Sequence, residues 1–368
     1  MKYSFISLIV FLFWSCSQER DINNAVYKIN LDSLDNNTYP QLVNRKYIFL
    51  ETNEQSLIGN VNRLYYRNHQ VYIFDDKSKQ IFCFDDKGKF LYKIHSVGQG
   101  PGEYLYPIDM DVDNDGNIYV NDPVSKRIVK YENGFGNKSE IISIDKRCLD
   151  FFISSHYVYL CRVNDKKGFT SSLNSTDLRT KVNRIWSECH WDENNQIPYF
   201  SKHYIFRSGE NSYYYERFRS QLYKIENDSV YEYINFKSSN IPTKSEIIEY
   251  SKSTSEGLMK PGVIRDVFAC YETDDYLYVG FKSFPVLHVL IQKQSGYAWN
   301  ISEIFKSKFG SSETVAVNGN ELITLCFPNQ SSVEKILTEC DMSHEDKVRL
   351  KSLKDDDNPI LIFYEFDK

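Results

Sequence analysis

Three stretches of this chain carry residue types whose spacing could do chemistry. Asp111-x-Asp113-x-Asp115-Gly116, with Asp122 at the twelfth position, matches the calcium-loop pattern in which oxygens at alternate positions wrap one hard cation. These acids bracket a strand-to-strand turn at 114–116, however, and Asp122 lies beyond the strand Ile118-Tyr119-Val120, too far to close a cage. A turn is expected there, and no metal. Gly98-Gln99-Gly100-Pro101-Gly102-Glu103 has the glycine content of a phosphate-cradling loop. It lacks the Lys-Ser/Thr of a Walker loop and leads into a strand, so no helix N-terminus is on hand for an anion. Its glycines and Pro101 suit a stiff connection between strand units. Glu103, Tyr104 and Asp109 stay as candidates for a central funnel. Tyr213-Tyr214-Tyr215-Glu216-Arg217-Phe218-Arg219 is the densest aromatic and charged run, suited to carboxylates or sugars, and it reads equally as a strand with alternating faces. Arg217 is its candidate. Arg63 in NRLYY and Arg265 in RDVFA sit at similar places in inner strands, where they either point into a channel or pair with neighbouring acids.

Hydrolytic signatures are missing. There is no HExxH and no GxSxG, and the seven histidines never recur at zinc-ligand spacing. No cofactor is expected. A site assembled from one residue per repeat would escape this test.

The elements that must position these residues are strands. With 28 Tyr and 24 Phe against 16 Gly and 10 Pro, the composition favours strands joined by Asn, Asp and Ser turns. The segment 57–94 alternates apolar and polar residues in VYIFD and IFCFD, with short polar turns between. Shifting VYIFDDKSKQIFCF at Val71 by 47 residues superposes it on IYVNDPVSKRIVKY at Ile118, matching Asp75 with Asp122, Ser78 with Ser125, Lys79 with Lys126 and Ile81 with Ile128. Propeller blades repeat at roughly 40 to 50 residues. Weaker copies begin at Leu149, Ser212, Val263 and Thr314.

Helical periods interrupt the strands near 243–253 and 331–353, with capping pairs Thr243/Glu246, Ser331/Glu334 and Ser343/Asp346. The chain then ends on NPILIFYEF. A lone terminal strand needs neighbours, and the sixth repeat lacks its outer strands. Ile360 to Tyr364 and Tyr47 to Leu50 are therefore expected to complete the sixth blade and close the ring. The expected fold is all-β: a six-bladed β-propeller over 41–368 with terminal-strand closure.

The first residues read as an export signal, with Lys2 followed by an apolar run too short to span a bilayer. Residues 1–15 form a signal peptide of lipoprotein type in this reading, Cys16 is the lipid attachment, and 16–40 is a polar tether. A plain signal peptide is the alternative. Export would favour disulfides, yet the remaining cysteines form no CxxC pair, and Cys83, Cys161, Cys270 and Cys326 lie in apolar runs, so buried free thiols are expected. A net charge of −6 argues against nucleic acid.

Gly98 to Tyr104, followed by a proline, an apolar-Asp strand, DGNIYV and a later Asp, resembles the NHL-type repeat. Phe49-Leu50-Glu51-Thr52 with Ser56-Leu57-Ile58-Gly59, the GQGPGEY run, and Asn358-Pro359-Ile360-Leu361 are similar to the six-bladed β-propeller lipoproteins of Bacteroides-type bacteria. The resemblance covers nearly all of the chain after the tether. It implies an extracytoplasmic, lipid-anchored propeller at the outer membrane and no particular reaction. Where those relatives carry an acidic, glycine-rich segment before the last blade, this chain has ISEIFKSKFGSS, so no site there is carried over. The expected function is a cell-envelope binding or interaction module for a glycan, peptide or protein. The alternative is a propeller hydrolase or lyase with its site in the funnel. Acids clustered around Asp109, Asp122 and Glu103 would favour the enzyme; a funnel lined by tyrosines and arginines would favour binding.

Overall fold

The computed structural model describes residues 25–132, 139–145, 147–164, 170–190, 203–226, 228–252, 260–305, 314–339 and 342–366. The expected signal peptide and Cys16 lie outside them. Among the described residues the strands form six sheets, arranged as the six blades of a β-propeller. From the channel outward, blade one is Arg63–Arg67, Gln70–Asp75, Gln80–Asp85 and Phe90–Ile94, and blade two is Asp109–Val112, Ile118–Asp122, Arg127–Tyr131 and Ser139–Ser143. Blade three is Asp150–Ser154, Tyr157–Asn164, Thr170–Asp177 and Asn183–His190, and blade four is Ile205–Ser208, Asn211–Tyr215, Gln221–Glu226 and Ser229–Lys237. Blade five is Asp266–Glu272, Tyr276–Lys282, Leu287–Gln292 and Ala298–Asn300. Blade six takes Thr314–Asn318 and Glu321–Cys326 from one part of the chain, then Ile360–Phe366 and Leu42–Phe49 from its two ends.

The 47-residue repeat is one turn built twice. Asp75 accepts from the backbone N–H groups of Lys77 and Ser78, and its other oxygen takes Gly59 N at 2.9 Å. Asp122 likewise accepts from Ser125 N and, at 2.9 Å, from Leu105 N. Lys79 and Lys126 follow with φ of 57° and 53°, the left-handed step that returns each chain into its third strand. Each aspartate thus fastens a turn to the loop that enters its own blade.

The cores lie between blades. Tyr72, Ile81, Met110 and Val129 pack between blades one and two, and Leu64, Phe82, Ile323 and Phe363 between blades one and six. Cys83, Cys148, Cys161, Cys270 and Cys326 are buried free thiols, and burial pushes the Cys83 thiol up to about 12.

Ring closure follows the expectation. Ile360–Phe366 lies between Glu321–Cys326 and Leu42–Phe49, antiparallel to both. Asn358 locks the junction from a buried position: its amide donates to Glu51 O and Ser56 O, both at 2.7 Å, and its carbonyl accepts from Ile58 N at 2.8 Å. The FLET, SLIG and NPIL segments are therefore the two halves of one clasp.

Two expectations need correction. The tether does not extend through 40: Tyr27–Asn30 adds a fifth, parallel strand to blade four, pairing with Ile234 through Lys237, and Asp35 bridges to Trp299 of blade five. The alternation of Tyr27 and Ile29 lets one side of this short strand bury against the blade rim. The helix Gln330–Glu339 is capped by Asn329, whose Oδ1 accepts from Ser332 N, and not by Ser331. The other capping pairs hold, Thr243 with Glu246 ahead of Lys244–Lys252 and Ser343 with Asp346 ahead of His344–Ser352.

Candidate functional site

Side chains two apart share a face of a strand, about 6.8 Å from one another along it. On the inner strands of blades one to four this rule gives Arg63-x-Tyr65-x-Arg67, Asp109-x-Asp111, Asp150-x-Phe152 and Ile205-x-Arg207. The four strands stack these residues into tiers that fill one side of the central channel.

In the first tier Arg63 is the hub. Its Nε donates to Asp109 Oδ1 at 2.8 Å and its Nη2 to Asp150 Oδ1 at 2.5 Å, while Nη1 spans the channel to the carbonyl of Ile205 on the opposite blade at 3.0 Å. The remaining carboxylate oxygens are also engaged: Asp109 Oδ2 accepts from Phe151 N, and Asp150 Oδ2 from Tyr204 N and Ile205 N. Both acids are about 1 % exposed. Asp109 and Asp150 hold the Arg63 guanidinium firmly protonated against its burial. Burial, with Asp150 beside it, raises the Asp109 carboxyl above the usual range despite the guanidinium. One cation cannot neutralise two buried acids fully.

One tier on, Arg207 stacks over Phe152 with its guanidinium 4.4 Å from the ring centre, lies 3.4 Å from Asp111 and donates to Ile153 O at 3.3 Å. Arg67 closes the far end through Asn114 and Gly209 O.

The other side of the channel is hollow. A cavity of about 450 Å³ lies among blades one, four, five and six, at the end where the inner strands begin. Its polar wall includes the cations Arg63, Arg207 and Lys282 and the imidazole of His203, and its aromatic wall includes Tyr65, Phe268, Tyr271 and Phe327. Two backbone irregularities make the space. The inner strand of blade five slips register between Val267 and Ala269, and that of blade six between Thr314 and Ala316. A bulge bends the strand and re-aims its side chains. The tip of the Phe268 ring packs against Gly280, where an added Cβ would meet it at 2.4 Å, so only glycine admits it.

The sequence candidates divide. Arg63 and Asp109 come together as partners. Arg217 lies elsewhere, its Nε 4.0 Å from Asp266, an acid that Lys282 flanks at the same distance. Arg265 precedes Asp266, and its backbone N–H donates to Lys282 O. Tyr104 is fully buried between blades one and two and bonds to Lys79 O, so it does not face the funnel. Glu103 folds back on its own loop: its carboxylate accepts from Gly100 N at 2.7 Å and fills the space a Cβ on Gly98 would need. The glycine-rich loop is a cradle for its own glutamate. Asp111, Asp113 and Asp115 do not converge. Asp111 points at Ile153 N and Arg207, Asp113 caps the turn through Asp115 N and Asn117 N, and Asp115 is exposed.

Asp150, Arg207, Lys282 and His203 were not singled out from sequence. Aligning inner strands by their first residue, Arg63 with Asp109, Asp150 and Ile205, exposes the first two. Asp109, Asp150 and His203 offer ligand atoms within 4.8 Å of one another, a spacing a metal ion could bridge. Arg63 already donates to both carboxylates, so a guanidinium stands where that cation would sit.

This architecture defines a six-bladed β-propeller whose channel is half plugged and half open. The family profile of DUF4934, a domain of unknown function, matches residues 27–365, and the chain belongs to that family. The fold is similar to a crystal structure from Bacteroides fragilis NCTC 9343 described as an exported protein, with a TM-score of 0.67 and 17 % identity over 93 % of this chain and 99 % of that one. It is also similar to a member of the DUF4221 family from Bacteroides vulgatus, with a TM-score of 0.52 and 11 % identity over 89 % and 98 % of the two chains. No curated protein is similar in sequence.

Proposed function

We propose that this protein is a non-catalytic binding module of the cell envelope, exported, anchored through an acylated Cys16, and taking its ligand in the open half of the channel. One observation carries the reading. The channel acids Asp109, Asp150 and Asp111 are held by arginines and backbone N–H groups, whereas the groups facing open space are arginine, lysine, tyrosine and phenylalanine, with one histidine, His203, whose Nε2 is engaged with Asn62 O at 3.1 Å. Acid–base catalysis needs a carboxylate or histidine within reach of substrate and free to exchange a proton. Recognition needs a concave, largely apolar wall with a few directed polar groups, in a space of about 300–1,000 Å³. The cavity has that size and concavity, with aromatic faces set beside directed polar groups.

The anchor is supported by the apolar run before Ser15-Cys16. Ten residues separate Cys16 from the strand that starts at Tyr27, a reach of roughly 40 Å at most, so the rim of blade four is the part of the fold that follows the anchor in the chain. Among the described residues no helix is long and apolar enough to cross a membrane.

Thermal shift and calorimetry with the purified chain test the binding reading, using neutral, acidic and basic sugars and short peptides as probes. Stabilising probes whose effect disappears in Val315→Phe, which fills the cavity wall, support it. Turnover of a probe, or hits indifferent to that substitution, would overturn it. Fatty-acid analogue labelling that is lost in Cys16→Ala supports the anchor; equal labelling of both forms removes it.

A further inference from the structure

Resting on the binding reading above, we infer that the ligand of the open half-channel is an anion: a ring-bearing carboxylate such as an acidic sugar, whose carboxylate meets Arg207 and whose ring lies against the aromatic wall. The chain as a whole is acidic, with 50 Asp and Glu against 44 Lys and Arg. Among the described residues lining the cavity, Arg63, Arg207 and Lys282 supply three cations and His203 an imidazole, and no aspartate or glutamate is present. The nearby acids lie behind the wall, each on one of these cations: Asp109 and Asp150 on Arg63, Asp111 at 3.4 Å from Arg207 and Asp266 at 4.0 Å from Lys282. With the acids set behind them, what an anion in the hollow meets is the guanidinium and ammonium N–H donors.

Of the two arginines in the cavity wall, Arg207 is the less engaged. It is 9 % exposed; its Nε faces Asp111 Oδ1 at 3.4 Å without a hydrogen bond, and its one hydrogen bond, from Nη1 to Ile153 O, is long at 3.3 Å. A guanidinium presents five donors in a planar fork that fits a carboxylate with two parallel bonds. Arg63, by contrast, spends all three of its nitrogens on Asp109, Asp150 and Ile205 O, so it forms wall and not a recognition group.

Other groups describe the remainder of the ligand. Asn62 lines the same cavity, and its Oδ1 is buried without a hydrogen-bond partner, an acceptor waiting for a hydroxyl or N–H. Phe268 and Tyr271 line the interior, and Phe327, 42 % exposed, stands at the mouth, offering faces for a sugar or aromatic ring. Lys282 pairs in register with Asp266, the first residue of its inner strand, whereas Arg207 lies one tier deeper. An anion entering past Lys282 thus moves about 7 Å inward to reach Arg207.

Two matched series test this by calorimetry at low and moderate salt: glucuronate, glucose and glucosamine, and benzoate, benzyl alcohol and benzylamine. In the series that binds, the anion is expected to bind at least about tenfold tighter than its neutral analogue, more weakly as salt rises. Arg207→Gln should reduce that preference to within about threefold while the neutral analogue binds as before. Arg207→Lys should retain part of it, and Lys282→Gln, at a partly exposed site, should slow anion association without abolishing the preference. Neutral or cationic members binding as well as the anion, or an anion preference unchanged in Arg207→Gln, would overturn the inference and leave the binding reading standing. No binding by any member of either series would overturn both.

Discussion

The two halves of the channel are built from the same kind of strand and differ in what their residues at alternate positions do. On blades one to four the inner strands pair regularly with their neighbours, and their channel-facing residues are large and charged: Arg63, Asp109, Asp150 and Arg207. Regular pairing holds long side chains at fixed heights, and opposite charges on facing strands meet and fill the space. On blades five and six each inner strand slips register, and uncharged residues such as Val267, Phe268, Tyr271 and Val315 face the gap. The difference teaches that a propeller channel is plugged or hollow according to strand regularity as much as side-chain volume. The plug also has a positional effect, since it fixes Arg207 at the edge of the hollow with part of its hydrogen-bonding capacity unused.

The largest effect is expected where the hollow half depends on the chain ends. Removing 358–368 takes away the strand between two others in blade six and the Asn358 clasp, and should leave a chain that unfolds or aggregates, measured by circular dichroism and light scattering. Removing 25–30 takes only an outermost strand of blade four and should lower the melting point by a few degrees while keeping the fold. Equal damage from both deletions would break the asymmetry between the two sides.

Arg63→Met comes next. It leaves Asp109 and Asp150 buried without their cation, and a broken buried pair costs about 3–5 kcal/mol, read from the urea midpoint. Adding Asp109→Asn and Asp150→Asn to it should restore much of that loss. A plug that tolerates Arg63→Met alone is not held by charge.

Acid should act on the hollow side through its backing. His288 is sandwiched against Phe305 at 4.0 Å between ring centres, bonds to the Tyr278 hydroxyl and backs Phe268. Burial lowers its pKa from 6.5 to about 4, so the folded state keeps it neutral where the unfolded chain would take up a proton. The stability this preserves is complete above pH 6.5 and is lost as pH falls through about 4. The loss amounts to roughly 3 kcal/mol across that window. Denaturation of the parent and His288→Gln at pH 7 and pH 4.5 should show their difference shrinking; a constant difference would mean that His288 titrates normally.

The smallest effect contrasts two enlargements. Val315→Phe has room to grow into the hollow and should change stability by less than about 1 kcal/mol, whereas Phe152→Trp, under Arg207, should cost about 1–3 kcal/mol. Equal costs would mean that the hollow closes in solution.

Much of the fold was legible in order along the chain. The Asp75/Asp122 repeat, the capping pairs at Thr243 and Ser343, and the terminal NPIL strand are local patterns with local causes, a turn, a helix end and an unpaired strand that needs neighbours. The tether was misjudged because Tyr27–Asn30 is too short to show a period, and only the rim of blade four, two hundred residues away, makes it a strand. The glycine-rich loop misled for a related reason. What cradled by its backbone was its own Glu103, a partner three residues from Gly100 that looks the same in sequence whether it faces inward or back.

The candidate site was legible only as separate residues. Arg63 and Asp109 could be named, but their bond, and the addition of Asp150, Arg207 and His203, depend on strands 46 to 142 residues apart being brought around one axis. By itself the sequence determined strand content, turn chemistry, the repeat and the closing strand, because each follows from residues near one another in the chain. The tertiary structure alone decided which side chains share a tier, which arginines are spent on acids, and where two slipped strands leave a hollow, because those outcomes depend on register between blades that the chain meets only when the ring has closed.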